Sequence, residues 1–227
     1  MKTCLTVLIM GLAGSLGLGL PDIRAAVEFS AGLEIHATAD FYAPLAPYGA
    51  WVTIGSYGRC WRPIHVEADW RPYCYGQWEW TDCGWYWESG EPWAWACYHY
   101  GSWVFDPNYG WLWIPGTEWA PAWVVWRESD DYIGWAPCGP GGVVVAPSLF
   151  VFVDFHHFRD PIRPRTVIVN NTTIINRTRV INNIRRETLR FDGVAQRVVI
   201  NRGPGVDPIQ RATGATFTPR PITEVVR

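Results

Sequence analysis

The side chains able to do chemistry are few and scattered. One short run, Asp154-x-His156-His157-x-x-Asp160, combines the residue types that ligate metals. If the run is a strand, His156 and His157 point to opposite faces, which works against a shared ion. His99 sits between Tyr98 and Tyr100 and reads as a satisfied strand histidine rather than a base. Glu79, Asp82, Glu88, Glu91, Asp106 and Glu118 are the pool from which a glycosidase pair would be drawn. Such a pair stands about 5 Å apart for retention or about 6.5–9.5 Å for inversion. Most of these acids fall in turns or at outward positions, where a carboxylate is simply solvated. The sequence has neither a nucleophile elbow nor a phosphate loop. No catalytic residue, no metal ligand and no cofactor is expected, and the glycan-acting hydrolase is the weaker alternative.

Five cysteines follow the N-terminal segment: Cys60, Cys74, Cys83, Cys97 and Cys138. An odd count in an oxidising compartment suggests two disulfides and one free thiol. Cys74 and Cys97 read as lying on the Trp-bearing faces of strands, where a cross-strand bridge is geometrically allowed. The alternative is that the cysteines are small buried hydrophobes.

The aromatic residues give the stronger signal. All 16 Trp lie between Trp51 and Trp135, a density far above ordinary usage. From Gly76 to Trp113 one unit is written twice: a Gly-x-Trp arm, a polar turn, and a Gly-Trp-x-Trp arm. Side chains alternate faces along a strand, so each unit reads as a hairpin. The turn Thr81-Asp82-Cys83-Gly84 sets Trp80 opposite Trp85 and Trp78 opposite Trp87. The turn Asp106-Pro107-Asn108-Tyr109-Gly110 sets Phe105 opposite Trp111 and Trp103 opposite Trp113. Weaker copies place Trp51 and Trp61 on facing arms upstream and Trp126 and Trp135 downstream, an internal repeat of β-hairpins. The arms carry more indole than one interior comfortably holds. An exposed platform of Trp78, Trp80, Trp85, Trp87, Trp103, Trp111 and Trp113 is therefore expected, with sugar rings the leading ligand class. The competing reading is that the rings zip the hairpins together and cover a sheet.

Other segments are read in the same way. Trp93 to Phe105 alternates and reads as one strand. The Trp-Arg-Pro strings at 61–63 and 70–72 read as strand ends at a sheet edge. Prolines between Ile114 and Pro137 predict short strands, and Gly139-Pro140-Gly141-Gly142 marks a boundary. Beyond it Trp vanishes. Thr166 to Asn183 reads as an exposed or extended strand pair, and Asp207 to Thr213 as a short helix capped by Gly214.

Residues 1–25 read as a signal peptide: Met1-Lys2, an apolar run from Leu5 to Leu20, then small residues at Ala25 and Ala26. An exported product of the periplasm, cell envelope or extracellular space is expected, with no transmembrane segment after cleavage. Charge is split, with 4 Arg against 14 acids over residues 26–150 and 13 Arg against 6 acids over 151–227. The basic part suits a solvated tail or an anionic partner. Nucleic acid does not fit an exported chain.

Several strings resemble a family of exported bacterial proteins of unknown function, rich in Trp, Tyr and Pro. They are Pro47-Tyr48-Gly49-x-Trp51, Trp61-Arg62-Pro63, Trp70-Arg71-Pro72-Tyr73, Glu91-Pro92-Trp93, Tyr98-His99-Tyr100-Gly101-x-Trp103, Pro115-Gly116-x-Glu118-Trp119-Ala120-Pro121-Ala122-Trp123 and Gly134-Trp135-Ala136-Pro137. The resemblance is close over about 41–140 and looser over 150–215. It implies export and carries no activity with it. The five cysteines depart from the family's pattern.

The expected fold is all-β: a meander of aromatic hairpin repeats closing into a small barrel or sandwich, with a β-rich C-terminal extension. The expected divisions are the signal peptide at 1–25, an N-terminal segment at 26–40, the Trp-rich hairpin-repeat domain at 41–140 and a basic region at 141–227. The expected role is a non-enzymatic envelope binding or scaffolding protein with a polysaccharide or an envelope protein as partner. The alternative is a purely structural or protein-interaction module with buried Trp ladders.

Overall fold

The computed structural model describes residues 35–142, 146–169, 172–181, 183–191 and 193–226. The expected signal peptide lies outside the described residues.

Short 3₁₀ turns and α1 (Tyr42–Leu45) lead into β1 (Gly49–Ile54) and β2 (Gly58–Pro63). A long irregular segment then reaches β3 (Gln77–Thr81) and β4 (Gly84–Glu88). After α2 (Ala94–Cys97) come β5 (Tyr100–Asp106), β6 (Gly110–Trp119), β7 (Val124–Glu128), β8 (Tyr132–Pro137) and β9 (Val151–Asp154). The rest contains β10 (Ile168–Val169), α3 (Thr172–Arg177), β11 (Arg179–Ile181), β12 (Ile184–Phe191), β13 (Val194–Asn201), α4 (Val206–Thr213) and α5 (Ile222–Val225). Among the described residues strand accounts for 42% and helix, 3₁₀ turns included, for 24%, so the fold is mainly β.

The two central hairpins form in the register that their Trp spacing predicts, and the two flanking copies also form hairpins. Trp51 faces Trp61, Trp78 faces Trp87, Trp80 faces Trp85, Trp103 faces Trp113, and Trp126 faces Trp135. They do not run on as one meander. The first and third join, through Trp61 opposite Trp113, into a sheet ordered β1-β2-β6-β13-β12 with β5 also on β6. This sets Trp51, Trp61, Trp113 and Trp103 in one row across four strands. The fourth hairpin lies in a sheet ordered β10-β9-β8-β7-β11, and β3-β4 stands as a separate ribbon. No barrel closes among the described residues, and the layered sheets fit a sandwich-like fold.

Several expectations are corrected. Residues 94–97 form a helical turn, so the strand starts at Tyr100: Glu91 N-terminal to the turn accepts from the Ala94 N–H, and Ala-Trp-Ala-Cys has no β-branched residue to oppose a helix. β6 runs through Pro115 for ten residues instead of breaking there, because its neighbour β2 pairs at Trp113 and the β5 side is already bulged between Tyr100 and Ser102. Pro63 does end β2, but β2 lies inside its sheet. Thr172–Arg177 is helical where a strand pair was expected; its end is held by Arg127, whose guanidinium donates to the Ile175 and Thr178 carbonyls. α4 ends at Gly214 in the left-handed conformation, as expected.

Residues beyond 141 supply strands to the hairpin sheets. β9 pairs β8, β11 pairs β7, and Val198 of β13 bridges Trp119 of β6. Among the described residues no helix is long and apolar enough to cross a membrane.

Candidate functional site

The expected aromatic platform is an interior. Of its seven members, Trp78, Trp85, Trp87, Trp103, Trp111 and Trp113 are buried and Trp80 is half-buried. Twelve of the 16 Trp are buried altogether. All twelve lie in one contiguous core, so a single interior does hold them. Trp78 and Trp87 of the β3-β4 ribbon pack on Trp126 and Trp135 of the second sheet, at centroid distances of 4.5–6.4 Å. The Trp61 and Trp103 side of the first sheet is filled by Trp70 and Trp93. These tilted and edge-on contacts are the geometries that the ring quadrupole favours.

The indole N–H groups do a second job. A buried Trp usually finds a hydrogen-bond acceptor, and here five find backbone carbonyls. Trp61 donates to Leu45, Trp103 to Cys97, Trp113 to Tyr100, Trp135 to Tyr73 and Trp85 to Pro204, at 2.8–3.1 Å. Half-buried Trp123 donates to His99. Trp78, Trp87 and Trp93 fill the core without a partner for their buried Nε1 among the described residues.

At the centre lies a polar cluster. Tyr73 takes a left-handed φ of 60°, strained for a non-glycine residue. Its hydroxyl donates to the Tyr98 carbonyl and accepts from the Trp123 backbone N–H. Glu91 accepts from Trp70 Nε1, from the Ser89 hydroxyl and, by a short bond, from the Tyr98 hydroxyl. Burial pushes the Glu91 carboxyl up, and these donors hold it partly back. His99 is stacked between Tyr86 and Trp119 and its Nδ1 contacts the Ala120 carbonyl; burial lowers its pKa to about 4, so it is neutral at pH 7.

Most of the remaining candidates are engaged in the fold. Glu79 and Glu88 accept from Gln77 Nε2. Asp82 accepts from the Ile222 N–H, and Asp106 accepts from the Asn108 and Tyr109 N–H groups inside its own turn. Glu118 pairs with Arg186 at 3.4 Å. Asp154 caps a 3₁₀ turn through the His157 N–H and meets the His157 ring at 2.8 Å on the surface. That turn, not a strand, is what brings Asp154 and His157 together.

All five cysteines are thiols, and neither Cys74 nor Cys97 lies on a strand. Four are buried. Burial raises every one, with Cys74, Cys83 and Cys138 pushed up to about 12. Thiolate is the species that exchanges, so the raised values disfavour exchange.

Sequence reasoning missed two cavities, and the larger, of about 1,120 Å³, is lined by Glu128, Tyr132, Arg177 and Arg211 among others. A slot of about 690 Å³ lies between residues 114–118 of β6 and Ile184, Arg186 and Val199 of the β12-β13 hairpin. Trp123, Ser102 and residues 138–141 complete it. It joins residues far apart in sequence, so no local pattern marks it.

No curated protein and no solved structure matched the chain. Residues 42–142, which carry the four Trp-paired hairpins, match the model of a family of unknown function (DUF6600).

Proposed function

We propose that the protein is a non-enzymatic scaffolding and interaction module, exported to the cell envelope or beyond, in which the Trp ladders are architecture. One observation carries the reading: the indole rings are spent on the core, and five of the buried ones also give their N–H groups to backbone carbonyls. The carboxylates and His99 are spent in the same way, on turns and packing. An enzyme needs an acid or base held free toward substrate, and most of the candidates here already have structural partners. The apolar run from Leu5 to Leu20 and the small residues after it support export.

The test pairs cell fractionation with turnover assays. The mature chain is expected outside the cytoplasm, shortened by about the first 25 residues, with no turnover of glycan, peptide or ester substrates. Retention in the cytoplasm at full length, or turnover that survives repurification, would overturn it.

A further inference from the structure

We propose that the slot containing Trp123 binds a saccharide, one ring stacked on the indole and its hydroxyls met by the rim. This goes beyond the scaffolding role and rests on it only for the exported setting.

The slot exists because the backbone parts there. β5 and β6 shift register between Tyr100 and Ser102, where Gly101 turns at φ +66°. A Cβ on Gly101 would sit 2.2 Å from the Ile114 carbonyl, and one on Gly116 would touch Gly101, so both positions hold the wall in place by having no side chain. β13 bridges β6 through Val198 and Trp119. Beyond that bridge, Val199 and Ile184 form the facing wall. The cavity thus lies where the Trp-rich hairpins meet the C-terminal hairpin, and its volume is within the range of about 300–1,000 Å³ usual for ligand pockets.

The chemistry is layered. Trp123 is half-buried and lines the slot, and its indole N–H is already given to the His99 carbonyl at 3.0 Å, which fixes the ring. Half-buried Trp51 and Trp80 differ, since the guanidiniums of Arg59 and Arg202 lie over them; among the described residues none lies over Trp123. Around the indole the walls are Ile114, Pro115 and Val199. Ser102, Glu118 and Arg186 form the polar part. Glu118 and Arg186 are paired at 3.4 Å but both exposed, so the pair contributes little and either group can turn to a ligand at small cost. A carboxylate and a guanidinium are planar, two-pronged partners that suit adjacent hydroxyls. An apolar ring face below and paired polar groups above match a pyranose, whose C–H face is apolar and whose edge is hydroxylated. A plain hydrocarbon ligand would leave the rim unused, and an ion would leave the indole unused.

The experiment is calorimetric titration of the full mature chain with cellohexaose, chitohexaose and maltohexaose. Saturable binding of at least one is expected. Trp123→Ala should weaken it about tenfold or more, the effect of removing a central aromatic anchor. Because Trp123 also holds the His99 carbonyl, a second variant, Ile184→Trp, is used: Ile184 is 51% exposed, so the larger ring fills the slot without burdening the core. Loss of binding in Ile184→Trp with an unchanged unfolding midpoint supports the site. Absence of binding by all three oligosaccharides, or binding unaltered in both variants, overturns it. Neither result bears on fractionation or turnover, so failure of the slot and failure of the scaffolding role are told apart.

Discussion

The indole N–H of Trp85 donates to the carbonyl of Pro204 at 2.9 Å, joining positions 119 residues apart. Trp85 belongs to the β3-β4 ribbon and Pro204 to the segment before α4, so one bond ties the Trp-rich hairpins to the Trp-free remainder. Close packing supports it: a Cβ on Gly84, next to Trp85, would fall 2.6 Å from the Arg202 backbone. Trp85→Phe keeps most of the ring and removes the donor. Stability should drop by about 1–3 kcal/mol, the cost of leaving a buried carbonyl unpaired. Denaturant unfolding measures the loss, and limited proteolysis should show earlier cutting after residue 201.

His99 makes the fold sensitive to acid. Its folded pKa of about 4 lies below its ordinary value of 6.5. A depressed folded value means stability present above pH 6.5 and lost as pH falls toward 4. The full loss is of the order of 3 kcal/mol. His99→Phe retains a ring between Tyr86 and Trp119 and should flatten the unfolding midpoint over that pH window. A midpoint that falls as steeply in the variant would place the acid sensitivity elsewhere.

Glu91 accepts from three side chains, Trp70, Ser89 and Tyr98. Glu91→Ala strands these donors in a largely apolar surround and should cost about 3 kcal/mol. Glu91→Gln restores an acceptor and should recover part of that. Equal loss in both variants would mean that the charge, not the acceptor, holds the cluster.

Two glycines separate backbone strain from crowding. Gly101 and Gly110 both have positive φ, +66° and +75°. A Cβ on Gly110 meets nothing within 4 Å, whereas one on Gly101 meets the Ile114 carbonyl at 2.2 Å. Gly110→Ala should cost about 1 kcal/mol from φ alone. Gly101→Ala should cost well beyond that and, because Gly101 lines the slot, should also disturb it. Urea midpoints of the two variants give the comparison.

The hairpins were legible in the sequence because their signal is local. Trp at alternate positions, a polar turn and a second Trp pair fix both faces and register, and the expected partners Trp78–Trp87 and Trp103–Trp113 are found. How the hairpins join was not legible. Trp61 meets Trp113 across 52 positions, and no spacing rule announces that. Nor could periodicity tell an exposed Trp face from a buried one, since the layer covering Trp78 comes from Trp126 and Trp135. Residues 93–105 misled because alternation was satisfied by Trp93, Trp95 and Cys97 even though the backbone there turns helical. The slot at Trp123 combines residues 102, 123 and 199, a combination only the fold makes.

Intrinsic fluorescence with acrylamide quenching tests the central claim most directly. If the indoles are architecture, the native chain should emit in the blue and resist quenching, with a minor accessible fraction from half-buried Trp51, Trp80, Trp95 and Trp123. Denaturant should shift the emission to the red and open every ring to the quencher. A native spectrum already red-shifted and quenched as fully as the unfolded chain would place the Trp ladders on the surface and contradict the account.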